Sequence, residues 1–212
     1  MMDINDQRIE YSKDNIDFSD APSHPLDLFK EWFSFELKHN LNEANACVLS
    51  TVNNDNIPSS RVILLKQIVD SGFIFFTNYQ SSKAIHISNN SNVALNFYWH
   101  NSERQVRVSG KAKKISALDS DIYFKQRPID SKIGAWVSSQ SKIINMDHQF
   151  TEEVDKIKKD FLNKEIERPK FWGGYCIEPI KIEFWQGRPS RLHDRLLYSF
   201  INNNWLIQRL SP

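Results

Sequence analysis

Apolar positions in this chain first recur at helical spacing and then gather in short bursts. Leu26, Phe29, Phe33 and Leu37 fall three or four apart, with Trp32 and Phe35 beside them and Pro25 in the first turn. That spacing predicts a core-packing helix. Strand-like bursts follow at 46–52, 60–69, 73–77, 93–99, 104–113, 175–186, 195–201 and 205–209. Turn-forming tracts separate them, among them Asn53-Asn54-Asp55-Asn56, Asp70-Ser71-Gly72 and Asn202-Asn203-Asn204. Gly110 marks a bulge in its strand. Further helical patterns cover 81–89, 117–126 (stopped by Pro128) and the charged, amphipathic 147–162. Residues 1–22, rich in Asp, Asn and Ser, read as a mobile lead-in, and 23–212 as one domain. Seven or eight short strands, mostly in meander order, with three or four helices predict a mainly β, antiparallel barrel surrounded by helices.

Composition narrows the function. At 212 residues, with 40% hydrophobic and 12% aromatic, the chain is long enough to bury a real core. Twenty-seven basic against 26 acidic side chains give a net charge of +1, so no global field recruits nucleic acid or a membrane. Cys47 and Cys176 are far apart with no CxxC, which suits a reducing cytoplasm. The six histidines show no HxxxH or HExxH spacing, so no metal site is expected. The polar N-terminus shows no signal peptide, and no run is apolar enough for a helix to span a bilayer. With six glycines and no GxGxxG or GxxxxGK[ST], any phosphate must be held by side chains.

The chemistry-bearing segments suit that constraint. Arg191-Leu192-His193-Asp194-Arg195 follows Glu183-Phe184-Trp185-Gln186-Gly187 closely. Arginine forks, an imidazole and an indole suit a flat, phosphorylated heteroaromatic molecule. Arg61 and Lys66 frame an apolar strand. Ser81, Ser82 and Lys83 open a helix whose free N–H groups could seat a phosphate. Alternation puts Gln105 and Arg107 on one strand face. Tyr123 and Arg127 share a helix face, and Ser131 lies just beyond Pro128. These three suit a phosphate clamp. Gln140 and Ser141 fall in a polar loop that also contains Trp136. Each feature alone also has a plain structural reading: a salt-bridged strand end, charges at a barrel rim, an ordinary N-cap or a solvent-facing strand side.

Together and in order, RVILLK (61–66), FFTN (75–78), SSKA (81–84), RQVRVSG (104–110), YFKQRP (123–128), SKIGAWVSSQS (131–141), FWGGY (171–175), EFWQG (183–187) and RLHDR (191–195) resemble the pyridoxamine/pyridoxine 5′-phosphate oxidase family. The resemblance covers about residues 25–212. It implies an FMN-binding split barrel, homodimeric, with FMN at the subunit interface. It implies FMN contacts from Arg61, Val62, Ile63, Leu64, Leu65, Lys66, Phe76, Thr77, Ser82, Lys83, Gln105, Gln140, Ser141, Trp185 and Arg195, some from the second chain. The phosphate falls to Arg61, Ser82 and Lys83. Lys66, Tyr123, Arg127 and Ser131 would clamp the substrate phosphate, and Arg191 and His193 would sit over the pyridine ring as the catalytic pair. The implied reaction moves a hydride from the substrate's C4′ to flavin N5, giving pyridoxal 5′-phosphate, and O2 then becomes H2O2.

Three departures stand out: Ser82 replaces a basic residue, Arg188-Pro189 follows Gly187 in place of a second glycine, and Asn56 replaces a turn glycine. Two other readings share the fold, a non-catalytic pyridoxal phosphate binder and a different flavin-dependent reductase. The presence of Arg191, His193 and the Tyr123/Arg127/Ser131 clamp argues against both.

Overall fold

A computed structural model of the chain describes residues 9–39, 43–162 and 164–212. The first helix, α1 (Pro25–His39), is followed by strands β1 (Ala46–Val52), β2 (Pro58–Leu64), β3 (Gln67–Val69) and β4 (Gly72–Asn78). Helix α2 (Ser82–Asn89) then leads to β5 (Asn92–Trp99) and β6 (Arg104–Lys114). Three helices follow: α3 (Ala117–Lys125), α4 (Ile129–Val137) and α5 (Thr151–Asp160). The chain closes with β7 (Trp172–Gln186), β8 (Asp194–Ile201) and β9 (Asn204–Arg209).

Among the described residues all nine strands join one sheet, and every pairing is antiparallel. Strands β5 to β9 form the expected meander, and the β1–β2 and β3–β4 hairpins attach through β1–β5 and β4–β7. The 15-residue β7 is the spine. One edge pairs with β6 along most of its length; the other pairs with β4 from Trp172 to Ile177 and with β8 from Lys181 to Gln186. A strand shared this way lets the sheet curl into an open half-barrel rather than lie flat.

Helix α1 fills the concave side. Phe29 is fully buried, with ring centroids 4.8 Å from Phe73 and 5.1 Å from Phe97. Trp32 meets Phe184 edge-on at 5.2 Å. The aromatic stripe therefore joins strands distant in sequence, at about 1.5–3 kcal/mol per buried side chain. The stripe ends sooner than its spacing suggests: Leu37 is 56% exposed.

Four boundaries differ from the sequence pattern. The apolar run 60–69 is two strands. Leu65 N–H donates to Asn45 O and Lys66 N–H to Ile74 O, so the chain leaves β1 and joins β4 at that point. The 129–137 stretch, read as loop around Trp136, is helix α4. There Ile133 and Ala135 are buried, and Trp136 packs 5.5 Å from Phe161 and donates to Glu167 O. Strand β7 begins at Trp172 rather than 175, and α5 is shorter than 147–162. The bulge opposite Gly110 lies on β7, where Ile180 is skipped between Pro179 and Lys181. A Cβ on Gly110 would overlap the Glu178 carbonyl oxygen.

Residues 1–8 of the expected lead-in lie outside the described residues. From Ile9 to Pro22 it has no helix or strand, yet it is anchored. Glu103 accepts from the Ser12 and Lys13 N–H groups, Asp194 accepts from Ile16 N–H, and Arg104 pairs with Asp14 at 2.6 Å.

Candidate active site

The chain gathers the candidate residues into three groups. The first lies where β2, β4 and α2 meet. Arg61, on β2, points toward the side that buries Cys47, Leu49 and Thr51. Its Nη1 donates to Thr51 Oγ1 at 2.7 Å and to Leu49 O at 3.2 Å, and Nη2 donates to Ser59 Oγ at 2.7 Å. Lys83 is buried in the first turn of α2 and donates to Thr77 Oγ1 and Ser81 Oγ, both at 3.2 Å. Burial, and then the Arg61 charge, push the Lys83 ammonium down from 10.5 to about 8. Burial also lowers Arg61. Among the described residues neither cation has a carboxylate partner. Two cations drawn together without a counter-ion make a site for an anion. Ser81 uses its hydroxyl on Asn78 O, so its side chain leaves the first N–H groups of α2 uncapped.

Thr77 Oγ1 donates to Gln140 Oε1 at 3.2 Å, which joins this seat to a second space. Arg127, Ser131, Gln140, Asn78 and Trp172 line a cavity of about 250 Å³. The Arg127 guanidinium lies 4.5 Å over the Trp172 ring, and its Nη1 is buried without a hydrogen-bond partner. Tyr123 stacks on Phe76 at 3.7 Å, and Phe76 stacks on Trp172 at 5.5 Å. Burial raises the Tyr123 phenol, partly offset by Arg127. An orphaned guanidinium donor beside a neutral phenol and a hydroxyl is suited to phosphate oxygens.

The second group is a row across three strands. Gln105 faces Trp185, and Trp185 faces Arg195. Cross-strand partners point to the same face, here the one opposite Val106, Phe184 and Leu196, which are buried. Glu183, itself buried, holds Arg195 Nε at 2.9 Å with one oxygen and Arg107 Nη1 at 3.0 Å with the other.

The third group surrounds a cavity of about 630 Å³ lined by Tyr11, Arg188, Ser190, Arg191 and His193, among others. Trp185 lies 4.6 Å from His193, joining this mouth to the cross-strand row. Arg188 N–H donates to His193 Nδ1 at 3.1 Å, so a neutral ring carries its proton on Nε2. Burial, and then Arg191, hold His193 below its usual 6.5. Ser190 and Arg191 both take left-handed backbone, at φ 57° and 61°. Two consecutive non-glycine residues in that region cost on the order of 1–3 kcal/mol each, strain that clusters at functional sites.

The remaining candidates sit as follows. Ser82 is exposed at the first position of α2. Ser141 is exposed with φ 71°. Val62 and Lys66 are exposed, Ile63 and Leu64 half-buried, and Leu65 buried. Among the described residues no hydrogen bond or ion pair joins Lys66 to Tyr123, Arg127 or Ser131. Among the described residues no hydrogen bond, ion pair or ring contact joins the Arg61/Lys83 seat to the Gln105–Trp185–Arg195 row.

Several residues that sequence reasoning gave no such part complete the groups: Thr51 and His86 at the seat, Glu183 behind Arg195, and Tyr11 at the mouth. Tyr11 lies 5.9 Å from His193 and reaches Gly187 closely enough that a Cβ there would overlap its ring. Its only signal was an aromatic residue in a mostly polar lead-in, a signal that Phe18 shares.

A family model described as pyridoxamine 5′-phosphate oxidase matches residues 33–171, and one described as the pyridoxine 5′-phosphate oxidase C-terminal dimerisation region matches 172–212. The chain belongs to the pyridoxamine 5′-phosphate oxidase family. It is 48% identical to a pyridoxine/pyridoxamine 5′-phosphate oxidase 2 from Hydrogenovibrio crunogenus, over 100% of this chain and 99% of that one. It is 45% identical to a pyridoxine/pyridoxamine 5′-phosphate oxidase from Flavobacterium psychrophilum, covering 100% of both. Among solved structures, PhzG from Burkholderia lata, in complex with tetrahydrophenazine-1-carboxylic acid, superposes with a TM-score of 0.86. It is 29% identical, over 92% of this chain and 95% of that one. An FMN-binding protein from Nostoc punctiforme related to pyridoxamine 5′-phosphate oxidase shares the fold, with a TM-score of 0.71 at 15% identity, over 89% of this chain and 98% of that one. The second family match covers the Trp185–Arg195 pair and the Arg191/His193 mouth, and the first covers the seat. Among the described residues no helix is long and apolar enough to cross a membrane, and no cluster of three or more metal-ligating side chains occurs.

Proposed function

We propose that this protein is an FMN-dependent oxidase converting pyridoxine or pyridoxamine 5′-phosphate to pyridoxal 5′-phosphate, with O2 reduced to H2O2 and, from the amine, water consumed and ammonia released. The observation that carries the reading is the pair of unneutralised cations, half-buried Arg61 and buried Lys83, linked by the Lys83–Thr77 and Thr77–Gln140 hydrogen bonds to the cavity that Arg127 lines. Two adjoining anion seats suit a phosphorylated cofactor beside a phosphorylated substrate.

The residues fit FMN. Arg61, Lys83, the uncapped N–H groups of α2 and Ser82 would hold its phosphate. Val62 to Lys66, Phe76, Thr77, Gln140 and Ser141 would line its length. Gln105, Trp185 and Arg195 would complete the site from the second protomer of a homodimer, a reading supported by the absence of any hydrogen bond, ion pair or ring contact between seat and row among the described residues. FMN, when bound, supplies the two-electron redox chemistry.

The chain's own residues would position the substrate. Arg127, Ser131, Tyr123 and Lys66 would clamp its phosphate, fixing C4′ for reaction, the chief entropic gain. Arg191 and His193 would cover the pyridine ring. With Nδ1 occupied by the Arg188 N–H and its ring held below the usual value, His193 would act as a neutral Nε2–H donor near neutral pH. It would steer a proton rather than serve as a strong base. Arg195, balanced by Glu183, would present a fixed cation to the ring system.

The test is steady-state turnover of the FMN-loaded protein with pyridoxine 5′-phosphate and with pyridoxamine 5′-phosphate. Pyridoxal 5′-phosphate and H2O2 should form in equal amounts from either. Pyridoxal phosphate binding without turnover would replace this reading with the non-catalytic one.

A further inference from the structure

We infer that Thr51 and His86 are positioning residues that hold the Arg61 guanidinium in place. The inference rests on the Arg61/Lys83 seat being the FMN phosphate site. Thr51, on β1, is fully buried. Its hydroxyl oxygen accepts from Arg61 Nη1 at 2.7 Å and lies 3.0 Å from His86 Nδ1. The Arg61 N–H takes one lone pair of the oxygen and leaves the hydroxyl proton to be placed. The other acceptor, Ser59 O, stands 3.5 Å away, at the limit of a hydrogen bond. The proton therefore goes to His86 Nδ1, which requires a neutral imidazole with its own proton on Nε2. The three groups form a directed chain from guanidinium to hydroxyl to imidazole.

The chain has a consequence for the seat. Leu49 O and Ser59 Oγ fix the Arg61 fork from β1 and β2. His86 adds a brace from α2, three residues beyond Lys83 and on the same helix. The two seat cations, carried by a strand and a helix, are thereby tied in relative position. An arginine held before its ligand arrives loses less rotamer entropy on binding. A packing role alone would need only valine's shape at position 51. The hydroxyl is explained by the donor it accepts and the ring it faces.

The experiment uses flavin-free full-length protein, titrated with FMN by quenching of flavin fluorescence, with the melting temperature of each apoprotein recorded. The variants are Thr51→Val, Thr51→Ser, His86→Leu, His86→Asn, Arg61→Ala and Thr51→Val combined with Arg61→Ala. Thr51→Val should weaken FMN about tenfold and His86→Leu about threefold, in the range of one lost hydrogen bond to a charged network. Thr51→Ser and His86→Asn, which restore a hydroxyl and an acceptor, should recover most of the affinity. Once Arg61 is alanine, Thr51→Val should add nothing, because Thr51 acts through Arg61. His86→Leu, on a half-buried helix position, carries the test if Thr51→Val fails to fold. Equal Thr51→Val penalties with and without Arg61 would overturn the inference. So would wild-type affinity in Thr51→Val and His86→Leu while Arg61→Ala weakens binding. Unchanged FMN affinity in Arg61→Ala would instead remove the phosphate seat, and this inference with it.

Discussion

Lys83→Met should make the empty protein more stable and the flavin-bound protein harder to form. Methionine keeps the length and apolar stem of lysine but removes the charge. In the wild type, burial and Arg61 depress Lys83 from 10.5 to about 8. At roughly 1.4 kcal/mol per pKa unit, holding that charge at pH 7 costs on the order of 3 kcal/mol. The two hydrogen bonds lost with the ammonium, to Thr77 and Ser81, are long at 3.2 Å and return on the order of 1 kcal/mol. The net gain for the apoprotein is about 1–2 kcal/mol, a rise of a few degrees in melting temperature for a chain of this size. FMN affinity should fall by about 10- to 100-fold, the loss of one charge-assisted contact to phosphate.

A pH signature accompanies the change. The folded, empty wild type releases the Lys83 proton near pH 8, whereas the unfolded chain keeps it to near 10.5. Between those values the unfolded state binds more protons, so apoprotein stability should climb with pH relative to Lys83→Met. FMN, by holding Lys83 charged, should abolish the climb. The assay is denaturant unfolding of apo and loaded forms at one protomer concentration from pH 7 to 9.5, alongside flavin titration. An apo Lys83→Met protein that is less stable than wild type and binds FMN as tightly would refute the reasoning.

Arg191→Ala and His193→Ala should retain FMN but lower kcat/KM by about 10²-fold, as expected for lost substrate orientation; flavin loss with an unchanged KM would contradict those roles. Arg127→Met should raise the KM for the phosphorylated substrate and leave FMN affinity within about threefold, because Arg127 lines the second cavity and has no hydrogen bond to the Lys83 seat; a flavin titration together with a substrate curve checks both. Phe29→Ala should destabilise the fold by about 3–5 kcal/mol, since its ring contacts Phe73, Phe97 and Trp99 at once; denaturant unfolding measures the loss.

Much of this arrangement was legible in the sequence for physical reasons. Strand bursts and turn tracts gave most strand positions because alternate burial writes itself into side-chain polarity. Asn56, which stands in place of a turn glycine, takes left-handed backbone at φ 61°. Scarcity of glycine pointed to side chains as the holders of any phosphate, and the structure sets Arg61 near enough to Lys83 to lower its ammonium. The break at Leu65-Lys66 was hidden because both halves of the run are apolar; only the change of partner from β1 to β4 divides them. Helix α4 was masked by its glycine and serine, which leave its helical pattern weak until Ile133 and Trp136 find partners. Tyr11, Glu183 and the Thr51–His86 pair were beyond reach for another reason. Their parts come from contacts between residues far apart in sequence, such as Tyr11 beside Gly187, which no local pattern records.

The most direct measurement is the visible spectrum of the FMN-loaded protein mixed without oxygen with one equivalent of pyridoxine 5′-phosphate. The flavin band should bleach, then return on admitting air, with pyridoxal 5′-phosphate and H2O2 formed in amounts matching the flavin. A band that stays unchanged with substrate bound would contradict the oxidase account.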